Sequence, residues 1–239
     1  MKVVVIYSNA RKESTYNCVR IFKEAVQKET EVDFIEFTLP NDMPHICRGC
    51  FTCIEKGEDK CPHSNVVQPI VNAILEADGI ILSSPVYSLD ASSAIKSLFD
   101  HMCYLWISHR PHDKMFHKAA MVISTTAGAG VKTSIKTLKK SPGYWGIRRI
   151  YNYGIALKAS RWEHVSNKTR KKIEVSLVKK AKKFLRAINN DGKVKHRLLI
   201  RILFPLMGKM IGGYEADGLL HKDKEYWAQK GWLDGGKPF

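Results

Sequence analysis

The 239-residue sequence has no run of about 18 apolar residues free of charge, so a membrane-spanning helix is not expected. At the amino terminus, Met1 and Lys2 lead into an apolar run at residues 3–6 that is too short for a secretory signal. We therefore expect a cytoplasmic protein. In that reducing environment disulfides are disfavoured, which leaves metal binding or redox chemistry as the use of clustered cysteines.

Several motifs of common functional classes are missing as well. The sequence has neither the GxGxxG of a dinucleotide fold nor the GK[ST] of a P-loop. No Ser/His/Asp or paired-carboxylate arrangement is visible, which disfavours hydrolysis. Zinc-finger spacing and aromatic RNA-binding signatures are also missing, so we expect no nucleic-acid partner despite a net charge of +16. The excess of basic residues, concentrated at residues 168–209, is typical of a solvated helix face.

What the sequence does contain is a fivefold alternation of strand and helix patterns. Apolar runs predict strands at residues 2–7, 31–37, 79–83, 119–125 and 147–158. Helix patterns follow at about residues 14–28, 65–75, 91–102, 131–139 and 166–189. This alternation predicts an α/β fold, a doubly wound five-stranded parallel sheet in the order 2-1-3-4-5, with helices on both faces. The second strand alternates in polarity, so we expect it at an edge.

We assign residues 1–190 to this domain, with a cysteine loop at 44–64, and residues 191–239 to a helical C-terminal extension. The extension is basic and apolar from Val194, and Pro205 should break or kink its helix. Its apolar side chains could cover the protein's own flank, a second subunit or an anionic membrane. We favour packing or dimerisation, because apolar helical stripes are most often buried. Docking of the tail is expected from its aromatic residues, Tyr226, Trp227, Trp232 and Phe239.

Four of the six cysteines lie within residues 47–61, in the spacing C-x2-C-x2-C-x7-C-P, and these are Cys47, Cys50, Cys53 and Cys61. Four thiolates with short early gaps suit a [4Fe–4S] cluster. A zinc site would more often use two separated C-x-x-C pairs, and the thiols could also line a loop without metal. All three interpretations stay open. We expect Cys18 and Cys103 on inner helix faces in the core, and His45 and His63 at the surface.

Three loops should converge where the parallel strands end. Residues 8–15 are rich in hydroxyls and open a helix, which suits a phosphate group, although Ser14 and Thr15 could equally act as helix caps. Residues 84–88 follow a central strand and offer proline, valine and tyrosine to a flat ring. Residues 125–130 contain glycines that let the backbone approach a ligand. Together these loops match the layout that flavin mononucleotide (FMN) requires.

These loops, the cysteine spacing, and the sequence SPVY at 84–87 followed by Lys96 and Asp100 resemble the flavodoxin-like NAD(P)H-dependent FMN reductase family, in its iron–sulfur flavoprotein branch. The likeness covers roughly residues 1–160, and Lys96 and Asp100 look structural in it. The resemblance implies that the FMN phosphate is held by Ser8, Arg11, Ser14 and Thr15. It implies that the isoalloxazine is lined by Pro85, Val86, Tyr87 and Ser88 on one side and by Thr126, Gly128 and Gly130 on the other.

The resemblance further implies an enzyme that passes electrons from NAD(P)H through FMN to a small-molecule acceptor such as a quinone or a flavin, with a [4Fe–4S] cluster as a relay. No side chain is assigned an acid–base role. The alternative is a non-enzymatic flavodoxin-type electron carrier, although such carriers are typically acidic in that family and this chain is basic. We expect a homodimer or homotetramer, with membrane-surface contact not favoured.

Overall fold

The computed structural model describes residues 1–189 and 196–239. Its central sheet contains the parallel strands β1 (Lys2–Tyr7), β2 (Asp33–Thr38) and β3 (Gly79–Tyr87), a two-residue strand β4 (Asp90–Ala91), and the parallel strands β5 (Ala119–Thr126) and β6 (Arg149–Ala156). The long strands lie in the order β2-β1-β3-β5-β6, and β4 pairs antiparallel with the end of β3. The predicted fold class is therefore confirmed, with β4 as an addition and β2 at the expected edge.

The helices of the described ranges are α1 (Ser14–Gln27), α2 (Thr52–Glu55), α3 (Ser64–Glu76), α4 (Ser93–His101), α5 (Val131–Tyr144), α6 (Asn167–Asn189), α7 (Leu198–Gly212) and α8 (His221–Gln229). Short 3-10 turns fill several of the connections between them. Of the break or kink expected at Pro205, the break does not occur, since α7 continues through this residue. Buried Phe204 and Ile211 on either side of the proline hold both halves of the helix on one surface, and such packing can override local propensity.

Two apolar layers cover the sheet. On one face α3, α4 and α5 pack on side chains such as Val4, Ile80 and Val122. On the other face α1 and α6 pack on side chains such as Val5 and Ile81. Helices on both faces explain why the central strands read as continuous apolar runs in the sequence, because both sides of each strand are buried.

The C-terminal extension packs on the domain through a third apolar cluster. This cluster contains Ile107 and Phe116 of the domain together with Phe204 of α7, Trp227 of α8 and Trp232. The indole Nε1 of Trp227 donates a hydrogen bond to a domain carbonyl, that of His109, at 2.6 Å. The expected docking of the aromatic tail is thus confirmed. The predicted boundary between residues 190 and 191 lies outside the described residues, and no helix of the described ranges is long and apolar enough to cross a bilayer.

The strand register places the ends of the central strands side by side. Tyr7 of β1 pairs with Ser83 of β3, and Pro85 of β3 pairs with Thr125 of β5. All of these strands are parallel, so the loops that follow them leave the same edge of the sheet. The cysteine-bearing segment follows β2 and leaves from this edge too.

Candidate functional site

A cavity lies at this edge, between the loops that follow β1, β3 and β5. Seven of the eleven predicted cofactor contacts line it, namely Arg11, Ser14, Thr15, Pro85, Val86, Tyr87 and Thr126. The cavity is also lined by Asn9, Glu13 and Thr125, which lie in the predicted loops but were not named as contacts, and by residues outside those loops, which include Leu157 and Ser160. Of these, Thr125 carried a usable signal, because it stands beside Thr126 at the end of a predicted strand.

The α1 end of the cavity has the properties of an anion site. Ser14 is the first residue of α1, and its buried Oγ has no hydrogen-bond partner among the described residues. The neighbouring Thr15 hydroxyl lies 2.7 Å from that of Thr125. A helix start offers free N–H groups, and a buried hydroxyl without a partner costs about 1–3 kcal/mol that an anionic ligand would offset. With the exposed guanidinium of Arg11 nearby, these residues fit a phosphate group.

The other end of the cavity offers a flat surface. Tyr87 ends β3 with 45% of its surface exposed, and its hydroxyl accepts a hydrogen bond from Asn9 Nδ2 at 2.7 Å. Pro85 and Val86 lead up to it and are partly buried. This short apolar segment can lie against a planar ring, and Asn9 fixes the orientation of the tyrosine.

Four predicted contacts do not line the cavity. Ser8 is buried beneath it, and its Oγ has no hydrogen-bond partner in the described part of the chain. Ser88 is exposed in the turn between β3 and β4, with φ at 48°. The N–H of Gly128 donates to Thr126 Oγ1 at 3.1 Å, which organises the third loop internally. Gly130 has φ at 91°, and a Cβ there would lie 2.7 Å from the backbone of Leu89, so close packing of two loops requires glycine.

A second cavity, of about 300 Å³, collects the cysteines. Its lining includes the four predicted ligands Cys47, Cys50, Cys53 and Cys61. A fifth cysteine, Cys103, also lines it, in a 3-10 turn that follows α4. Cys103 packs against the core as expected, although it is only half-buried. Its expected place on a helix face is wrong: α4 ends at His101, and the turn directs the thiol into hydrogen-bond contact with Cys53.

The five thiols differ in acidity. The Thr52 hydroxyl donates to Cys50 Sγ at 3.3 Å and lowers the pKa of this exposed thiol. The hydrogen bond between Cys53 and Cys103 raises the pKa of the Cys53 thiol and lowers that of Cys103. Burial raises the pKa of the two remaining thiols, Cys47 and Cys61. Because thiolates are the form that binds a metal, Cys50 is the most readily ionised of the four predicted ligands.

The expectation of a surface position for His63 is wrong. The loop folds back over α4, so that His63 is buried and stacks on His45 with ring centroids 4.6 Å apart. His63 Nδ1 lies 3.0 Å from His101 Nε2, and His101 Nδ1 lies 2.8 Å from the carbonyl oxygen of Ser97. Burial lowers the pKa of the His63 imidazole, and the neighbouring His101 adds to this effect.

The distances between the cysteine sulfurs and histidine nitrogens indicate whether these residues could bind one metal ion. Within residues 1–189 and 196–239, the compact set is Cys61, His63 and His101, whose ligand atoms lie within 4.8 Å of one another. The four predicted cysteine ligands do not form such a set in this part of the chain. A tetrahedral zinc with four thiolates needs sulfurs within about 4 Å of one another, whereas a cluster holds them further apart. The four predicted cysteine ligands therefore do not form a tetrahedral four-thiolate zinc site within the described residues.

Arg110 fastens the cysteine loop to the C-terminal extension. Its guanidinium donates to the carbonyls of Cys53 and Ile54 in α2 and forms an ion pair with Asp223 of α8. Asp223 is fully buried and also lies 2.7 Å from Nδ1 of His109. No sequence pattern indicates this network, because its members are distant in the chain.

The predicted structural pair Lys96 and Asp100 forms an i,i+4 ion pair on α4. Asp100 also lines the cysteine cavity. The sheet is doubly wound, and the cavity lies where the strands that follow one another in the chain turn to opposite sides of the sheet. One end of this cavity fits a phosphate and the other offers a flat surface. These features define the class of flavodoxin-like nucleotide-binding proteins.

Comparison with known proteins specifies the family. The model of the NADPH-dependent FMN reductase family matches residues 1–152, and the chain belongs to that family. It is thus an FMN-containing oxidoreductase that uses NAD(P)H, as predicted.

Similar proteins agree with the predicted branch. The chain is 34% identical to an iron–sulfur flavoprotein of Methanocaldococcus jannaschii over 140 residues, which cover 58% of this chain and 69% of that protein. It is 25% identical to an iron–sulfur flavoprotein of Archaeoglobus fulgidus over 240 residues, or 98% and 100% of the two chains. The fold is shared with an FMN-dependent NADH-azoreductase of Bacillus anthracis in complex with FMN, at a TM-score of 0.57 and 13% identity, over 77% of this chain and 99% of that one.

Proposed function

We propose that this protein passes electrons from NAD(P)H through FMN to a small-molecule acceptor such as a quinone or a flavin, and that its cysteine pocket holds a [4Fe–4S] cluster on that path. The observation that carries the proposal is the placement of the two cavities. One fits a phosphate and a ring, and the other gathers the four spaced cysteines. The segment that carries these four cysteines follows β2 and leaves the sheet at the edge where the FMN-fitting cavity lies, while the end of α4 and the turn after it form the other wall of the cysteine cavity.

The residues divide by what they offer the cofactor. Arg11, Ser14 and Thr15 supply a cation, hydroxyls and the start of α1 to the phosphate, as anion sites at helix starts do. Val86 and Tyr87 supply a flat surface to the ring system. FMN, when bound, supplies the hydride-accepting and electron-donating chemistry. The protein binds and orients, and none of its side chains has to act as an acid or base.

The cysteine pocket would hold the cluster through Cys47, Cys50, Cys53 and Cys61. Support comes from their spacing and from the similar proteins, which are named iron–sulfur flavoproteins. Arg110 donates to the backbone of the α2 turn that carries Cys53, which keeps that ligand in place.

The test is the composition of protein purified without oxygen. We expect bound FMN together with about four iron and four sulfide per chain. Cys50→Ser should remove most of the iron and leave FMN bound, because Cys50 is exposed and lies outside the FMN-fitting cavity. Cys18→Ala, which alters a core cysteine outside both cavities, is the matched control and should keep both cofactors. FMN without iron in the wild-type protein would remove the cluster from the proposal.

Turnover separates an enzyme from an electron carrier. We expect steady-state NAD(P)H oxidation when a quinone or free flavin is added. If no acceptor of either class supports turnover in FMN-loaded protein, the small-molecule acceptor is wrong and the electrons go to a protein partner instead.

A further inference from the structure

Helix α7 carries apolar side chains on two sides. Its inner side is buried in the extension through Ile200, Phe204 and Ile211. Its outer side exposes five large apolar residues, each with 43–68% of its surface accessible: Leu198, Leu199, Ile202, Leu206 and Met210. A helix that is apolar around most of its circumference is normally buried in a core or in lipid. The outer side of α7, defined by these five residues, therefore lacks a cover within the described chain.

The charges on α7 indicate what kind of surface covers it. Residues 196–214 contain no aspartate or glutamate. Arg201 and Lys209 are exposed on the helix, and the chain as a whole has a net charge of +16. Long basic side chains can lay their apolar stems along such a helix and extend their charges to an anionic surface.

A second copy of this chain fits these charges poorly. If α7 paired with α7 of a second copy across a two-fold axis, Arg201 and Lys209 would approach the same cations of the partner without a carboxylate from α7 to neutralise them. An anionic lipid bilayer matches both the apolar side chains and the cations of α7, since it accepts apolar side chains at its interface and attracts cations at its headgroups.

We propose that the outer side of α7 docks on the surface of an anionic lipid bilayer, with the helix lying parallel to the membrane plane. A helix of 15 residues is about 22 Å long, which is shorter than the hydrocarbon core, so the helix lies on the membrane and does not span it. This inference is independent of the flavin and the cluster, because α7 lines neither cavity.

The test is sedimentation of the full-length protein with lipid vesicles. One set consists of phosphatidylcholine alone, and the other contains about one-third phosphatidylglycerol. We expect at least tenfold tighter binding to the anionic vesicles, and weaker binding as salt is raised. Equal binding to both sets, or binding to neither, would overturn the proposal.

Two variants assign the binding to α7. Ile202→Gln combined with Leu206→Gln should weaken binding to anionic vesicles at least tenfold, because it removes the centre of the apolar side. Arg201→Glu combined with Lys209→Glu keeps that apolar side and should abolish the preference for anionic lipid. Val175→Gln changes a residue of similar exposure on α6 and should leave binding unchanged. All of the altered residues are exposed, so FMN content should stay constant.

A measurement of the oligomeric state tests the alternative that a second copy of this chain covers α7. If Ile202→Gln with Leu206→Gln converts an oligomer to a smaller species while binding to vesicles is unchanged, a second copy covers α7 and the proposal is wrong. Sedimentation velocity without lipid measures this directly.

Discussion

Ser14 should affect FMN binding and the stability of the apoprotein in opposite directions, and a single substitution can test both effects. Its buried hydroxyl has no hydrogen-bond partner within residues 1–189 and 196–239, which costs stability, and it lines the phosphate-fitting end of the cavity. Ser14→Ala should therefore weaken FMN binding at least about tenfold, since hydrogen bonds to charged groups contribute about 1.5–3 kcal/mol. The same change should leave the apoprotein as stable as before or slightly more stable.

Titration of apoprotein with FMN, followed by flavin fluorescence, measures the affinity, and urea unfolding measures the stability. Ser176→Ala on α6 is the control and should alter neither. If Ser14→Ala binds FMN as tightly as the wild type, Ser14 does not contact the phosphate.

Lys118 gives the stability of the protein a pH dependence. Its buried ammonium donates to the carbonyls of Leu75 and Ala77 at the end of α3, and burial lowers its pKa to about 8. In the unfolded chain the pKa of lysine is about 10.4, so between these values the unfolded chain binds more protons. Stability from this group should therefore rise with pH over this interval.

The measurement is urea unfolding of the wild type and of Lys118→Met at several pH values. The free energy of unfolding of the wild type, relative to the variant, should rise by roughly 1–2 kcal/mol between pH 7.5 and 9.5. Other titrating groups are common to both proteins and cancel in the difference. A difference that is flat or falls with pH would contradict the low pKa of Lys118.

Helix α8 supports the cysteine loop through one buried ion pair. Asp223 neutralises Arg110, whose remaining hydrogen bonds go to the carbonyls of Cys53 and Ile54 and to the carboxylate of Glu58. Asp223→Asn leaves the buried cation with only the partly exposed Glu58 as a counter-charge, which should lower the free energy of unfolding by about 3 kcal/mol. We also expect iron content to fall while FMN stays bound, because the FMN-fitting cavity is built from other loops.

Iron and flavin assays on the same anaerobic preparation check this prediction. Asp217→Asn removes an exposed carboxylate from the same extension and should change neither cofactor. Loss of FMN along with iron would show that α8 supports the domain generally and not the cysteine loop in particular.

The strands show what the sequence can predict. Strand β1 was predicted residue for residue, because a continuous β-branched run between polar residues has no helical interpretation at that length. The end of α5 was placed near Lys139 but lies at Tyr144. Ser141, Pro142 and Gly143 signal a helix end locally, yet all three are buried, and packing extends the helix through them.

Part of the FMN-fitting cavity could be predicted from the strand pattern, because its residues lie in loops that follow strands. Loops that follow strands can be located from periodicity, and the resemblance to the family then indicated seven of the residues that line the FMN-fitting cavity. Contacts between distant segments leave no such local pattern. The pairing of His63 with His101 and that of Arg110 with Asp223 therefore became visible only in three dimensions.

The extension and the domain share one apolar cluster, and this bears on how the protein unfolds. Trp227 is fully buried, stacks on Phe204 with ring centroids 4.6 Å apart, and donates to the carbonyl of His109. The ring of Phe116 in the domain packs edge-on against the same Phe204, with ring centroids 5.7 Å apart. Since the cysteine pocket also depends on Asp223 of α8, we expect the extension and the domain to unfold together.

Trp227→Ala tests this coupling. Removal of a buried tryptophan typically costs about 3–5 kcal/mol, and here it also leaves the His109 carbonyl without its donor. In the wild type we expect a single thermal transition in which flavin release and loss of helical circular dichroism coincide. The variant should shift both signals to lower temperature by the same amount, because the cluster belongs to one cooperative unit.

Val175→Ala, at an exposed site on α6, should shift neither. If Trp227→Ala instead splits the melt, with helical signal lost first and flavin retained, the extension is a separate folding unit, and the support that α8 gives to the cysteine loop is not needed for the flavin site.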